Sequence, residues 1–285
     1  MLHRLRLMLS TIRFAHTVFA LPFALLAAVM AAGGFPPWDR VVWIVLACVF
    51  ARNAAMAFNR WHDAPFDRQN PRTRTWPVAS GRLTRRFALG FTALNAAAFV
   101  GVAAVLGPLA LGLSPVALAL VLGYSTTKRW TSATHFVLGL ALAAAPVGAW
   151  IAVRGTFDAT PIVLGGGVFF WVAGFDLIYS CRDAAFDRRV GLHSLPVRLG
   201  LRRALAVSAL CHALAVLCFL AVWAVGALGH VFLSSVAAAA WLLVYEQRLV
   251  RADDPSRADT AFFTINGWIG VLMCLGGVVD VVGWG

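Results

Sequence analysis

The sequence predicts an all-α, polytopic membrane protein of about nine transmembrane helices, and three observations predict it. The chain is 61% apolar and 13% charged, with a mean hydropathy of +0.80, whereas soluble domains run near half apolar and a quarter charged. Apolar runs close to the roughly 20 residues that cross a bilayer recur along the whole length. The basic residues fall almost entirely in alternate loops between those runs.

Nine runs qualify, near residues 14–33, 41–59, 87–106, 108–124, 134–153, 161–181, 204–226, 229–246 and 262–283. The first continues too far to be a cleavable signal and reads as a span. Gly107-Pro108 parts the third and fourth with a tight turn. The fourth and eighth are short, as tilted or partly interfacial helices would be. The sixth carries Gly165-Gly-Gly167, which lacks the lysine and serine of a phosphate loop and reads as close helix packing. The eleven tryptophans mostly flank apolar runs as interface anchors. The five cysteines show no metal spacing and read as reduced and buried. No short-period repeat or low-complexity linker divides the chain, so residues 1–285 read as a single domain. Spans two and six nevertheless echo each other, each ending in an Asp-rich segment followed by an Arg-rich loop.

Of the 24 lysines and arginines, 21 lie in one set of alternate loops, Arg40 and Arg154 lie in the other, and Arg52 lies within a span. The positive-inside bias places the N-terminus and both acidic segments on the cytoplasmic side. The net charge of +12 is thereby explained by topology and anionic lipid, not by nucleic-acid binding.

The chemistry concentrates in two stretches. In Asn59-Arg-Trp-His-Asp63-Ala-Pro-Phe-Asp67, the amide and two carboxylates are four apart and share one face if the helix continues through them. Asp176-Leu-Ile-Tyr179-Ser-Cys-Arg182-Asp183-Ala-Ala-Phe-Asp187 repeats the arrangement more than a hundred residues later. Ionisable groups at the ends of transmembrane helices are costly and by default line a cavity; solvated salt bridges with nearby arginines are the plainer alternative. Carboxylate pairs with few other ligands suit Mg²⁺, which is completed by water and substrate phosphate. Two such pairs across a cavity would clamp a diphosphate and neutralise its charge as it leaves. Arg52 is seven residues before Asn59, shares its face on a helix, and suits the carboxylate of an aromatic acid; a structural pair with a neighbouring helix is the plainer alternative. His62, His135 and His193 read as ordinary helix-end or loop hydrogen-bonding residues.

The pattern N-x-x-x-D-x-x-x-D followed by Arg72-Thr73, then D-x-x-Y-x-x-x-D-x-x-x-D, resembles the UbiA superfamily of intramembrane aromatic prenyltransferases. Arg52 through Asn59-Arg60, Asn70-Pro-Arg72-Thr73, Gly174-Phe-Asp176 and Phe186-Asp187 through Ser194 resemble its 4-hydroxybenzoate polyprenyltransferase-like group. Gly191-Leu-His193-Ser194 and Ala20-Leu-Pro22-Phe-Ala-Leu lean toward the branch that prenylates a dihydroxynaphthoate in futalosine-route menaquinone synthesis. The resemblance runs from about residue 12 to 270.

That resemblance implies a helical bundle around a central cavity that opens sideways to lipid, in a bacterial inner membrane. It implies a polyprenyl diphosphate and a small aromatic acid, 4-hydroxybenzoate or 1,4-dihydroxy-6-naphthoate, as substrates in ubiquinone or menaquinone synthesis. Asn59, Asp63, Asp67, Asp183 and Asp187 would hold the diphosphate through Mg²⁺, and Asp176 would begin the second motif with Tyr179 beside it. Tyr124 and Lys128 match the family's Tyr-x-x-x-Lys, and Arg13 and Arg72 its basic positions near the diphosphate. His16, three residues after Arg13, would face the acceptor with Arg52 and Tyr179. The chain departs from the pattern after Arg72-Thr73: Trp76 and Ala79 stand where the group has an arginine and a proline, and Arg74 is the nearest replacement cation. Other acceptors (haem, homogentisate, chlorophyllide), a transporter and a non-catalytic scaffold are the competing readings.

Overall fold

The structure, a computed structural model, describes residues 5–9, 17–250 and 264–283. Regular structure among them is entirely helical. The elements are α1 (Thr17–Ala32), α2 (Trp38–Asp67), α3 (Arg85–Leu106), α4 (Pro108–Thr127), α5 (Thr134–Arg154) and α6 (Ala159–Ser180). They continue with the short α7 (Ala184–Arg189) and α8 (Leu195–Leu199), then α9 (Leu201–Val225), α10 (His230–Leu249) and α11 (Asn266–Gly283). The long helices correspond one for one to the apolar runs of the sequence. Among the described residues, seven of them are long and apolar enough to cross a membrane. The described part of α1 is only 16 residues long, and α10 ends in the polar Glu246-Gln247-Arg248, which lowers its mean hydropathy.

Helix α2 is 30 residues long and runs to Asp67, past the end of its apolar run near residue 59, so the condition under which Asn59, Asp63 and Asp67 share one face is met. Hydropathy marks where lipid ends and not where the hydrogen-bond ladder ends, so the polar tail of α2 stays helical beyond the apolar run. The Gly107-Pro108 turn is as expected: Gly107 takes φ +135° and Pro108 occupies the first turn of α4, where its missing N–H has no partner to lose.

The helices pack in sequence order around the bundle, with α1 lying against α5 and α11. The core centres on α6. Trp171 lies edge-on to Phe19 and Phe175, and Phe23 stacks on Phe219. Trp171 and Trp150 are therefore core residues, 0% and 5% exposed, whereas Trp38, Trp130, Trp241 and Trp268 are exposed as anchors would be. Gly165 meets the Ala143 backbone and Gly167 the Phe219 ring, which confirms close packing as the role of that glycine run. All five cysteines are free thiols, buried or half-buried.

The two basic residues of the sparsely charged loops act at the same end of the bundle. Arg40 donates to the carbonyls of Leu106 and Ala152 at 3.0 and 3.3 Å, and Arg154 to that of Ala31 at 2.6 Å. They satisfy carbonyls that the last turns of α1, α3 and α5 leave without intrahelical partners. The first acidic segment ends α2, and the second begins within α6 and runs on past its end.

Candidate active site

A cavity of about 1350 Å³ lies among α1 to α6 and the segments that follow α2 and α6. One end is polar: Asn59, Arg60, Asp63 and Asp67 from α2, Tyr124 and Lys128 from the end of α4, and Asp176, Tyr179, Asp183 and Asp187 from α6 and its extension. The remainder is lined mainly by Ala, Leu, Val and Phe side chains. The lining includes Val116, Leu140 and Ile162, apolar side chains that are 56%, 47% and 56% exposed.

On α2 the helical spacing brings Asn59 and Asp63 together, and Asn59 Nδ2 donates to Asp63 Oδ2 at 2.7 Å. The other oxygen of Asp63 meets His62 Nδ1 at 3.0 Å. Past Asp67 the chain folds back on itself. Thr73 Oγ1 donates to the Asp67 carbonyl at 3.1 Å, and Arg68 Nε to that of Ala79 at 3.0 Å. Asn70 Oδ1 accepts from the Arg72 N–H at 3.0 Å, an Asx turn of the kind Asn favours. The turn sends the Arg72 side chain across the cavity mouth to the second motif. There Arg72 Nε and Nη2 grip Asp183 at 3.2 and 2.6 Å, and Nη1 donates to the Tyr179 hydroxyl at 3.0 Å. This fork-on-carboxylate geometry is the strong, directional form of the ion pair.

The second motif is not one helix. α6 ends at Ser180, and Asp183 begins the short α7, which carries Asp187. Lys128 Nζ reaches Asp187 Oδ2 at 3.5 Å. Burial pushes the Asp187 carboxyl above its ordinary range, and Lys128 offsets this only in part. Burial works against the Lys128 ammonium, yet Asp187 and, further off, Asp176, Asp183 and Asp63 hold it above its usual range. The Gly191-Leu-His193-Ser194 run secures this corner, His193 N–H donating to the Lys128 carbonyl at 2.7 Å and Ser194 capping α8.

Asp176 is held by His135 Nδ1 at 2.6 Å, with His135 itself fully buried. Arg52 lines the same cavity from α2. Arg13 and His16, expected near the diphosphate and the acceptor, lie outside the described residues.

Sequence reasoning missed three features. Arg60 faces the cavity, its guanidinium 3.7 Å over the Trp76 ring and its Nη1 3.7 Å from Asp67 Oδ2. The signal was present, since Arg60 and Asp67 are seven apart, the same spacing that relates Arg52 to Asn59. Arg74, the suggested replacement cation, is exposed and absent from the cavity wall. His135 is a partner of Asp176 and not an ordinary helix-end residue; the two are 41 positions apart, which no local pattern reveals.

The donors offered by Asn59, Asp63, Asp67, Asp183 and Asp187 are all oxygens, the chemistry of a hard divalent cation. Among the described residues, no three His, Cys, Asp or Glu side chains converge into a preformed metal cage. That fits an ion taking one or two carboxylates and completing its shell with water and phosphate.

A helical bundle spanning the membrane, with paired acids and basic groups at one end of an apolar cavity, is the architecture of an intramembrane transferase of lipid chains. The chain belongs to the UbiA prenyltransferase family, whose model matches residues 20–268. It is 33% identical to a 4-hydroxybenzoate octaprenyltransferase of Aromatoleum aromaticum over 255 residues, covering 89% of this chain and 85% of that one. Among solved structures it is similar to the apo form of a UbiA homologue from Aeropyrum pernix, with a TM-score of 0.85, 33% identity, and coverage of 95% and 99% of the two chains. A UbiA homologue from Archaeoglobus fulgidus bound to DMAPP and Mg²⁺ shares the fold at a TM-score of 0.73 and 20% identity, covering 96% of this chain and 98% of that one. The protein is thus an integral membrane prenyltransferase.

Proposed function

We propose that the protein transfers a polyprenyl group from polyprenyl diphosphate to a small aromatic acid in quinone biosynthesis, at a site on the cytoplasmic side of a bacterial inner membrane. The observation that carries this reading is the polarity of one cavity: two acid motifs bridged by Arg72 at one end, an apolar wall at the other. A diphosphate head and a polyprenyl tail match that division.

In this reading Asn59, Asp63, Asp67, Asp183 and Asp187 hold Mg²⁺, which supplies positive charge to the leaving diphosphate. Arg72, Lys128 and Tyr124 face the same oxygens, and Arg13 joins them. When the diphosphate arrives, Arg72 and Lys128 exchange Asp183 and Asp187 for phosphate oxygens, freeing both carboxylates for metal. Arg52 receives the carboxylate of the acceptor, with His16 and Tyr179 at its side. The apolar wall excludes water while the allylic C–O bond ionises, so the cation meets the ring and not a water molecule that would quench it to the prenol. Carbon–carbon bond formation ortho to the acceptor hydroxyl is followed by loss of the ring proton, to Asp176 held by His135 or to the released diphosphate.

The relatives named for 4-hydroxybenzoate support that acceptor; the sequence features noted above support 1,4-dihydroxy-6-naphthoate. Purified protein in lipid nanodiscs, given geranyl diphosphate with each acid in turn, with and without Mg²⁺, decides between them by the mass of the product. Mg²⁺-dependent product with one acid assigns it. Absence of product with both would sink the aromatic-acid assignment and turn attention to other acceptors or to transport.

A further inference from the structure

The loop that follows the first acid motif carries Trp76 where the pattern this chain resembles has an arginine, which leaves the diphosphate end one cation short of that pattern. We propose that Arg60 replaces it: Arg60 is a diphosphate ligand of this chain, and Trp76 is the shelf that positions it. This rests on the reading of the cavity given above.

The geometry sets Arg60 apart from Arg72 and Lys128, the cations that face the acid motifs beside it. Arg72 has committed its guanidinium to Asp183 and Tyr179 through three hydrogen bonds. Lys128 is engaged with Asp187. Arg60 is different. Its side chain is only 11% exposed, and its Nε is buried with no hydrogen-bond partner among the described residues. Its nearest carboxylate, Asp67, stands at 3.7 Å, beyond hydrogen-bond range. A guanidinium carries five N–H donors and no acceptor, and leaving such donors unmade in a buried place is costly. The exposed remainder of the side chain lines the cavity where the acid motifs would bring a ligand rich in anionic oxygens, which would meet those N–H donors that face it.

Trp76 explains how the arginine is held ready. Its ring lies 3.7 Å from the Arg60 guanidinium carbon and 5.8 Å from that of Arg72. Stacking on an aromatic face attracts the cation and fixes its plane while leaving the in-plane N–H donors directed outward. The ring is placed by the loop, with Trp76 N–H donating to the Thr73 carbonyl at 2.9 Å and Ser80 N–H to that of Trp76 at 2.8 Å. The loop position thus still serves the diphosphate, through a borrowed guanidinium instead of its own.

The test is Mg²⁺-dependent inhibition of prenyl transfer by inorganic pyrophosphate, together with the KM for geranyl diphosphate and for the acceptor. The variants are Arg60→Gln, Arg60→Lys, Trp76→Ala and the double variant Arg60→Gln/Trp76→Arg. Arg60→Gln raises the pyrophosphate inhibition constant and the geranyl diphosphate KM by about tenfold to a hundredfold, the span of one or two charge-assisted hydrogen bonds, with the acceptor KM unchanged. Arg60→Lys recovers part of this, Trp76→Ala gives a smaller loss of the same kind, and the double variant restores tighter pyrophosphate binding than Arg60→Gln alone. The rescue controls for misfolding, since a second substitution does not repair a collapsed site. Wild-type protein inhibited by pyrophosphate, with Arg60→Gln equally sensitive or impaired only toward the acceptor, would overturn the role of Arg60. Wild-type protein insensitive to pyrophosphate would instead overturn the reading of the cavity on which it rests.

Discussion

Deleting a cation from this site should tighten, not weaken, the binding of a divalent metal on its own. Arg72 holds both oxygens of Asp183 at 3.2 and 2.6 Å, so a metal approaching that carboxylate must first displace it. A charge-assisted hydrogen bond to a buried group is worth about 1.5–3 kcal/mol, but Arg72 is 30% and Asp183 14% exposed. Solvent screening reduces the pair to about 1–2 kcal/mol. Arg72→Ala removes that competition and is expected to strengthen Mn²⁺ binding by about 5- to 30-fold, read from the free Mn²⁺ signal in electron paramagnetic resonance titrations of detergent-solubilised protein. Adding pyrophosphate reverses the order. In the wild type Arg72 moves from Asp183 to the anion, so metal and pyrophosphate promote each other's binding. In Arg72→Ala that mutual promotion shrinks. A variant that binds Mn²⁺ alone more weakly than wild type would refute the exchange of partners proposed for Arg72.

Further outcomes follow from the same geometry. Asp63→Ala and Asp183→Ala each reduce prenyl transfer by at least about a thousandfold, the scale of losing a main electrostatic contribution to the transition state, measured by product formation at saturating Mg²⁺. Burial raises the Asp187 carboxyl above its ordinary 3.8, so the protonated form persists to higher pH and competes with metal there. The Mg²⁺ concentration for half-maximal activity should therefore climb as pH falls, beginning above pH 3.8, and Asp187→Asn should lower activity at every pH and flatten this dependence. His135→Phe removes the group that holds Asp176 at 2.6 Å. It should slow turnover by about tenfold to a hundredfold and expose a primary isotope effect with acceptor deuterated at the prenylated carbon; no isotope effect would leave His135 a packing residue. Gly174→Ala places a methyl group into the His212 ring across the α6–α9 contact. It should destabilise the bundle by about 1–3 kcal/mol, seen as a lower apparent melting temperature in detergent.

The fold was largely legible in the sequence because a bilayer imposes one rule on the whole chain. Long apolar runs must become helices, and loop charge reports their alternation. The end of α2 lies where that rule stops applying: Asn59 to Asp67 is polar and still helical, which the spacing of its acids allowed and hydropathy alone does not show. Within the site, positions related by helical spacing were readable in advance, such as Asn59 with Asp63. Contacts closed by the tertiary fold were not. Arg72 meets Asp183 across 111 positions and His135 meets Asp176 across 41, and only the packing of α5 on α6 and the fold-back after Asp67 bring these groups together. Trp76 shows the limit of reading a motif residue by residue. As a departure from a pattern it looks like a lost cation, while in the folded chain it supports one.

The central claim is that both acid motifs jointly hold a diphosphate through divalent metal. The most direct measurement is anomalous diffraction from crystals grown with Mn²⁺ and the unreactive geranyl S-thiolodiphosphate. The account predicts Mn²⁺ bound to Asp63 or Asp67 on one side and to Asp183 or Asp187 on the other, with diphosphate oxygens completing each shell and Arg72 withdrawn from Asp183. Analogue bound with metal on only one motif, or with Arg72 still gripping Asp183, would contradict it.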